Sequence, residues 1–168
     1  MNPLGSAIDI VPVIAPLDLQ TARSGDYVSL KNAKGVLFVI FKGAGTDGDD
    51  PTFTLKQATD VAGTSEKDAA VITEYFEKEG TLTSVGTWTR VTQSAAATVV
   101  PGDPSAQSQA VYCVYVEADQ LDVDGGFDCV TLNAADTGTN AQLGCVLAIL
   151  TGLRYPATPQ NLPNAIAD

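Results

Sequence analysis

Histidine is absent from all 168 residues, and its absence removes whole classes of chemistry. Without an imidazole there is no Ser-His-Asp or Cys-His nucleophile pair, and the commonest general base is missing. Neither a GxSxG elbow, a Walker A loop nor an HExxH helix occurs, so the familiar hydrolase, nucleotide and metalloprotease signatures are missing as well. Basic residues are scarce: 9 Lys and Arg stand against 20 Asp and Glu, a net charge of -11. Phosphate backbones are bound by cations that displace counterions, so this chain is repelled by nucleic acid and by anionic lipid. Long apolar runs are missing too. The longest strongly apolar stretch, Val36 to Phe41, is far too short to span a bilayer. The first basic residue is Arg23, and Pro12 and Pro16 interrupt the early apolar stretch, so no secretory signal is read there. A soluble protein made in the cytoplasm is expected. The three cysteines, Cys113, Cys129 and Cys145, sit in apolar surroundings and read as free thiols acting as small hydrophobes. Their wide spacing and the lack of histidine argue against zinc, and no cofactor is expected.

What is present is β pattern. Hydrophobic residues make up 45% of the chain, enough for one core in a chain of single-domain length. Tyr27 to Leu30 is a short strand candidate, and Val36 to Lys42 (VLFVIFK) has the β-branched and aromatic make-up of a buried strand. The glycine- and aspartate-rich run from Gly43 to Pro51 is a loop, and TFTLKQA from Thr52 alternates as a strand with one buried face. In residues 64–79, Ser65 with Asp68 imitates a capping box, which predicts a helical turn over 65–69 and then a strand to about Lys78. A further strand is expected around Thr87 to Gln93. Pro101 to Pro104 mark a turn, and strands follow at Ala110 to Ala118, Phe127 to Ala134 and Leu143 to Thr151. Roughly eight turn-separated strands, with almost no periodic helix, predict a mainly β protein: an antiparallel β-sandwich, jelly-roll-like.

The ends read differently. Residues 1–25 carry Pro3, Pro12 and Pro16 and are expected as an extended N-terminal arm, with a single helical turn at Asp18 to Ala22. Residues 26–155 form the sandwich, and residues 156–168, with Pro156, Pro159 and Pro163, form an extended C-terminal tail. Extended ends with apolar side chains need a surface, either the protein's own sandwich or a neighbouring subunit. The candidate contact residues are Ile10, Val11, Val13, Ile14 and Leu17 in the arm and Leu162 and Ile166 in the tail.

Two other constellations carry weaker signals. Asp119, Asp122, Asp124 and Asp128 surround Gly125 and Gly126, and Asp47, Asp49 and Asp50 surround Gly48, which is the oxygen-rich loop chemistry calcium uses. The EF-hand pattern fails, because aligning Gly125 with its invariant glycine leaves Gln120 and Thr131 at the first and last ligand positions. Tight turns demand the same residues, and that plainer reading is preferred. Trp88, Tyr75, Phe76, Tyr112 and Tyr115 lie on expected strands, where core packing is a commoner role than a sugar platform. Nothing here reads as an enzyme.

Four segments together carry a resemblance: RSGDYVSLKNA from Arg23, FTLKQATDVAG from Phe53, VEADQLDVDGGFDCVTLNAAD from Val116 and AILTGLRYP from Ala148. They resemble small structural proteins encoded beside the capsid genes of tailed bacteriophages. The similarity runs over roughly residues 23–156 and is least in 80–108. Such proteins are head decoration or cement subunits. The resemblance implies a β-sandwich or jelly-roll subunit, commonly a homotrimer, on the outer capsid surface of the virion, with the major capsid protein as partner. The alternatives are a tail or neck accessory, or a sandwich that binds a glycan or host surface, with calcium in the Asp119–Asp128 loop.

Overall fold

In the computed structural model, residues 3–49, 51–80, 84, 86–100 and 108–167 are described. Two antiparallel sheets face each other. The strands are β1 (Ile8–Asp18), β2 (Val28–Ser29), β3 (Gly35–Lys42), β4 (Phe53–Ala58), β5 (Lys67–Asp68), β6 (Ile72–Gly80), β7 (Thr89–Ala96), β8 (Thr98–Val99), β9 (Gln109–Glu117), β10 (Cys129–Ala134) and β11 (Leu143–Thr151). The larger sheet has the order β1-β11-β3-β9-β6-β7. The smaller runs β2-β10-β4-β5, with β8 also paired to β4. The expected antiparallel sandwich is therefore what forms. Short 3-10 turns at Ala118–Gln120 and Pro159–Asn161 are the only helical elements among the described residues.

Alternation explains the core. In β3 and β9, Val36, Phe38, Ile40, Tyr112, Val114 and Val116 are buried and face inward, and Val146, Ala148 and Leu150 of β11 join them. Phe53 and Leu55 of β4 and Val130 and Leu132 of β10 meet them from the other sheet. Each such side chain contributes about 1.5–3 kcal/mol of apolar burial. At one end of this core lies Lys42, the next inward-facing position of β3 after Ile40, and it is fully buried. Its ammonium donates to the Ser108 carbonyl (2.6 Å), while Gln142 Nε2 donates to the Gly43 carbonyl (2.8 Å), so backbone oxygens serve the polar groups there.

The expected N-terminal arm needs correction. The N-terminal segment is a full strand: β1 pairs with β11 from Ile8↔Thr151 to Asp18↔Leu143, with irregularities between Pro12 and Ile14 and between Ile14 and Leu17. Proline is tolerated because β1 is an edge strand, where a missing N–H costs no ladder bond. No helical turn forms at Asp18–Ala22. The chain instead turns there and pairs Arg23 with Ala134. The C-terminal tail keeps its extended character but lies on the sandwich, where the Ser29 amide donates to the Ala165 carbonyl (2.7 Å) and the Ala157 amide to the Gly5 carbonyl (2.9 Å).

The helical turn expected at 65–69 is also absent. Ser65 has φ +58°, outside the right-handed helical region, and Lys67–Asp68 pair with β4 instead. Before it, Asp60 accepts the Thr64 amide (2.9 Å) and closes a tight loop. The expected turn at Pro101–Pro104 and the acidic residue Asp50 lie outside the described residues.

Candidate docking face

The three central strands of the large sheet are apolar on both sides. Inward residues build the core, and the residues between them point outward in three rows set by the strand register. One row is Ile10, Ile149, Leu37 and Tyr115. The next is Pro12, Leu147, Val39, Cys113 and Phe76. The third is Cys145, Phe41 and Val111, ending at Lys78. Ile10, Phe41, Phe76, Tyr115 and Leu147 remain 37–46% exposed, while Leu37, Val39, Cys113 and Ile149 between them are half-buried by their neighbours alone.

Antiparallel sheets usually turn one face to water and carry polar side chains on it. Here one continuous apolar field covers five strands. At about 4.8 Å between strands and about 7 Å between rows, it measures roughly 20 by 14 Å, on the order of 300 Å². The largest apolar patch on a monomer is commonly about 300–600 Å² and is often functional.

Its border is polar and matched in charge. Arg90 pairs with Glu74 on the β6–β7 side, Lys34 with Glu117 (3.5 Å) at one end, and Lys78 lies 5.3 Å from the Trp88 ring. Toward β9 and β6 the face dips into a hollow of about 320 Å³ whose lining includes Leu37, Phe76, Cys113, Tyr115, Glu74 and Glu117. Burial pushes the Cys113 and Cys145 thiols above their ordinary range, which keeps them protonated and poorly nucleophilic.

The opposite outer face is closed. Cys129, Thr131 and Ala58 are fully buried there. Tyr27 and Val61 pack over Cys129 and Ala58, and Gly25 passes so close that a Cβ would sit 2.6 Å from Thr131 Oγ1 and 2.7 Å from the Leu132 carbonyl. An ion-paired cluster finishes the cover: Lys56 meets Glu66 and Asp68 (both 3.0 Å), and the Tyr27 hydroxyl donates to Glu66 (2.7 Å). The hydrogen bond from Tyr27, then that from Lys56, holds the Glu66 carboxyl below its usual range. Burial first, and then the bond to Glu66, raises the Tyr27 phenol.

The predicted contact residues divide accordingly. Val11, Val13 and Ile14 are buried in the core and cannot meet a partner. Ile10 is exposed and belongs to the apolar face, whereas Leu17 is half-buried against the core. In the tail, Leu162 is half-buried and Ile166 exposed. Of the aromatic candidates, Tyr75 and Tyr112 are core, while Phe76, Tyr115 and Trp88 are exposed.

Two aspartates of the 119–128 loop have structural duties. Asp122 pairs with Lys67, which together with the Gly125 amide (3.0 Å) holds its carboxyl low, and Asp128 lies 3.8 Å from Lys31. Among the described residues no three His, Cys, Asp or Glu side chains come together in a way that could hold a metal ion. Nor is any described helix long and apolar enough to cross a membrane.

Sequence reasoning missed most of the apolar face, yet the signal was there. VLFVIFK, AVYCVYV and CVLAIL are unbroken apolar runs, and an exposed-face strand would have alternated. No family model, curated protein or solved structure matches the chain.

Proposed function

We propose that this chain is a structural binding subunit of a virion, of the head decoration or cement type, which works by assembly and not by catalysis. The observation that carries the binding part of this reading is the apolar outer face of the large sheet, where Ile10, Phe41, Phe76, Tyr115 and Leu147 stay exposed across five strands. The phage assignment is supported by the resemblance of the four segments between Arg23 and Pro156, and the net charge of -11 suits a place on the solvent side of a shell packed with nucleic acid. In this reading the protein sits on the outer capsid surface with the major capsid protein and with other copies of itself as partners.

The mechanism is mechanical. Contacts that exist only in the assembled shell stabilise that shell by mass action, and many weak sites act together through multivalency. Imaging particles made with and without the chain, followed by heating, tests the proposal. Particles lacking it should be complete, bare of surface knobs, and open at a lower temperature. Equally stable heads with a tail part missing would transfer the protein to the tail or neck. Unaltered particles that have lost host attachment would make it a receptor-binding module.

A further inference from the structure

We infer that Asp47 is a site of spontaneous covalent modification, where the chain isomerises to an isoaspartyl linkage by attack of the Gly48 amide nitrogen on the Asp47 carboxyl. Asp-Gly is the dipeptide most open to this reaction, because glycine carries no side chain to hinder the attacking nitrogen. It occurs twice, at Asp47-Gly48 between β3 and β4 and at Asp124-Gly125 between β9 and β10, and Asn-Gly does not occur. The fold leaves the first site open and protects the second.

The step needs no oxidant and no cofactor. The Gly48 nitrogen forms a bond to Asp47 Cγ. The carboxyl loses a hydroxyl and the nitrogen its proton, together as water, and a succinimide ring results. Water then opens the ring. Opening at the side-chain carbonyl restores aspartate. Opening at the main-chain carbonyl leaves the backbone running through the side chain, longer by one carbon and unchanged in mass.

The two sites differ in what holds the attacking nitrogen. Asp47 and Gly48 are exposed, and Gly48 has φ +83° with open space where a Cβ would stand. Neither the Asp47 carboxylate nor the Gly48 N–H has a hydrogen-bond partner among the described residues. The turn is closed by the Asp49 amide on the Thr46 carbonyl, a long bond of 3.2 Å. At the second site the Gly125 amide donates to both the Asp122 carbonyl (3.1 Å) and Asp122 Oδ1 (3.0 Å). The next two amides are bonded as well, Gly126 to the Val123 carbonyl (2.9 Å) and Phe127 to the Asp122 carbonyl (3.1 Å), and Asp122 is itself paired with Lys67. A peptide held in this way can turn its nitrogen toward Cγ only after local opening. The product at position 47 has a local consequence. Asp49, two residues on, accepts the Asn140 amide (3.0 Å) and Asn140 Nδ2 (2.8 Å), which ties this loop to the one before β11. An added main-chain carbon ahead of Asp49 loosens that tie and leaves the core alone.

The second Asp-Gly serves as the internal reference. The purified full chain is aged warm at neutral pH, and its peptides are scored for isoaspartate by enzymatic methylation and by electron-transfer mass spectrometry. Isoaspartate should accumulate at position 47 at least about tenfold faster than at 124, the factor that a hydrogen bond to a charged group is worth. In concentrated urea, where neither site is held, the two rates should converge. Asp47→Glu, whose longer side chain closes a larger and less favoured ring, should remove the signal at 47. Asp122→Ala should raise the rate at 124 severalfold and leave the rate at 47 unchanged, with circular dichroism confirming the fold. Equal rates in the folded chain, a faster rate at 124, or isomerisation at 47 seen only in urea overturns the assignment, whatever the protein's place in a virion.

Discussion

The outer face of the small sheet hides Cys129 and Thr131 beneath Tyr27, Val61 and the close pass of Gly25, and ties its rim with Lys56, Glu66 and Asp68. The outer face of the large sheet leaves Phe41, Phe76, Tyr115 and Leu147 open. Both belong to one sandwich with one core, so folding alone does not account for the difference. Where the chain needed a second face sealed, it spent a loop and an edge segment on sealing it. On the large sheet no such cover is formed by the described residues, and the apolar side chains stay open.

The largest test of this contrast removes β1. Because Val11, Val13 and Ile14 are core residues, deleting residues 1–17 should cost roughly 5–9 kcal/mol, comparable to the whole stability of a domain, and yield an unfolded chain by circular dichroism. A folded deletion variant would return the segment to the status of a separable arm. Next in size, Gly25→Ala should destabilise by about 1–3 kcal/mol in urea unfolding, because the new methyl meets Thr131 and the Leu132 backbone. Thr131→Val should act in the opposite direction. The Thr131 hydroxyl is buried with no hydrogen-bond partner, so its replacement by a methyl should stabilise by about 1 kcal/mol.

The smallest effect is the response to pH, which also separates the faces. The Glu66 carboxyl is held below its unfolded value, so its contribution is present above that value and lost as pH falls through the folded one. The Tyr27 phenol is held high, so its contribution is complete below the unfolded value near 10 and declines as pH rises beyond it. Thermal unfolding should therefore show a plateau that falls off at both ends. Lys56→Met, which removes the charge linking Glu66 and Asp68, should flatten the acid side by a modest amount.

Much of the fold was legible because alternation is a local property. β4 announces its buried face through Phe53, Leu55 and Gln57, and β3, β9 and β11 fall on their apolar runs within a residue or two. What was not legible depends on neighbours. Pro12 and Pro16 rule out a central strand but permit an edge one, and nothing local says that β11, more than a hundred residues later, supplies the edge. Ser65 and Asp68 have the spacing of a helix cap, yet pairing with β4 outweighs one turn of helix. The docking face was half visible: its rows lay in plain sequence, but continuous apolar runs read equally well as strands covered on both sides. Only the folded chain shows Phe41 exposed and Val39 and Leu37 half-buried on the outer side.

The pairing of β1 with β11 also sets a clock for synthesis. β11 lies between β1 and β3, so the sheet has a gap until residues 143–151 leave the ribosome. Strand β1 thus waits, with Val11, Val13 and Ile14 unburied, for β11. A sheet whose contacts span such sequence distances folds slowly. Pulse-labelled nascent chains should stay protease-sensitive until residues 143–151 have emerged, then gain resistance in one step.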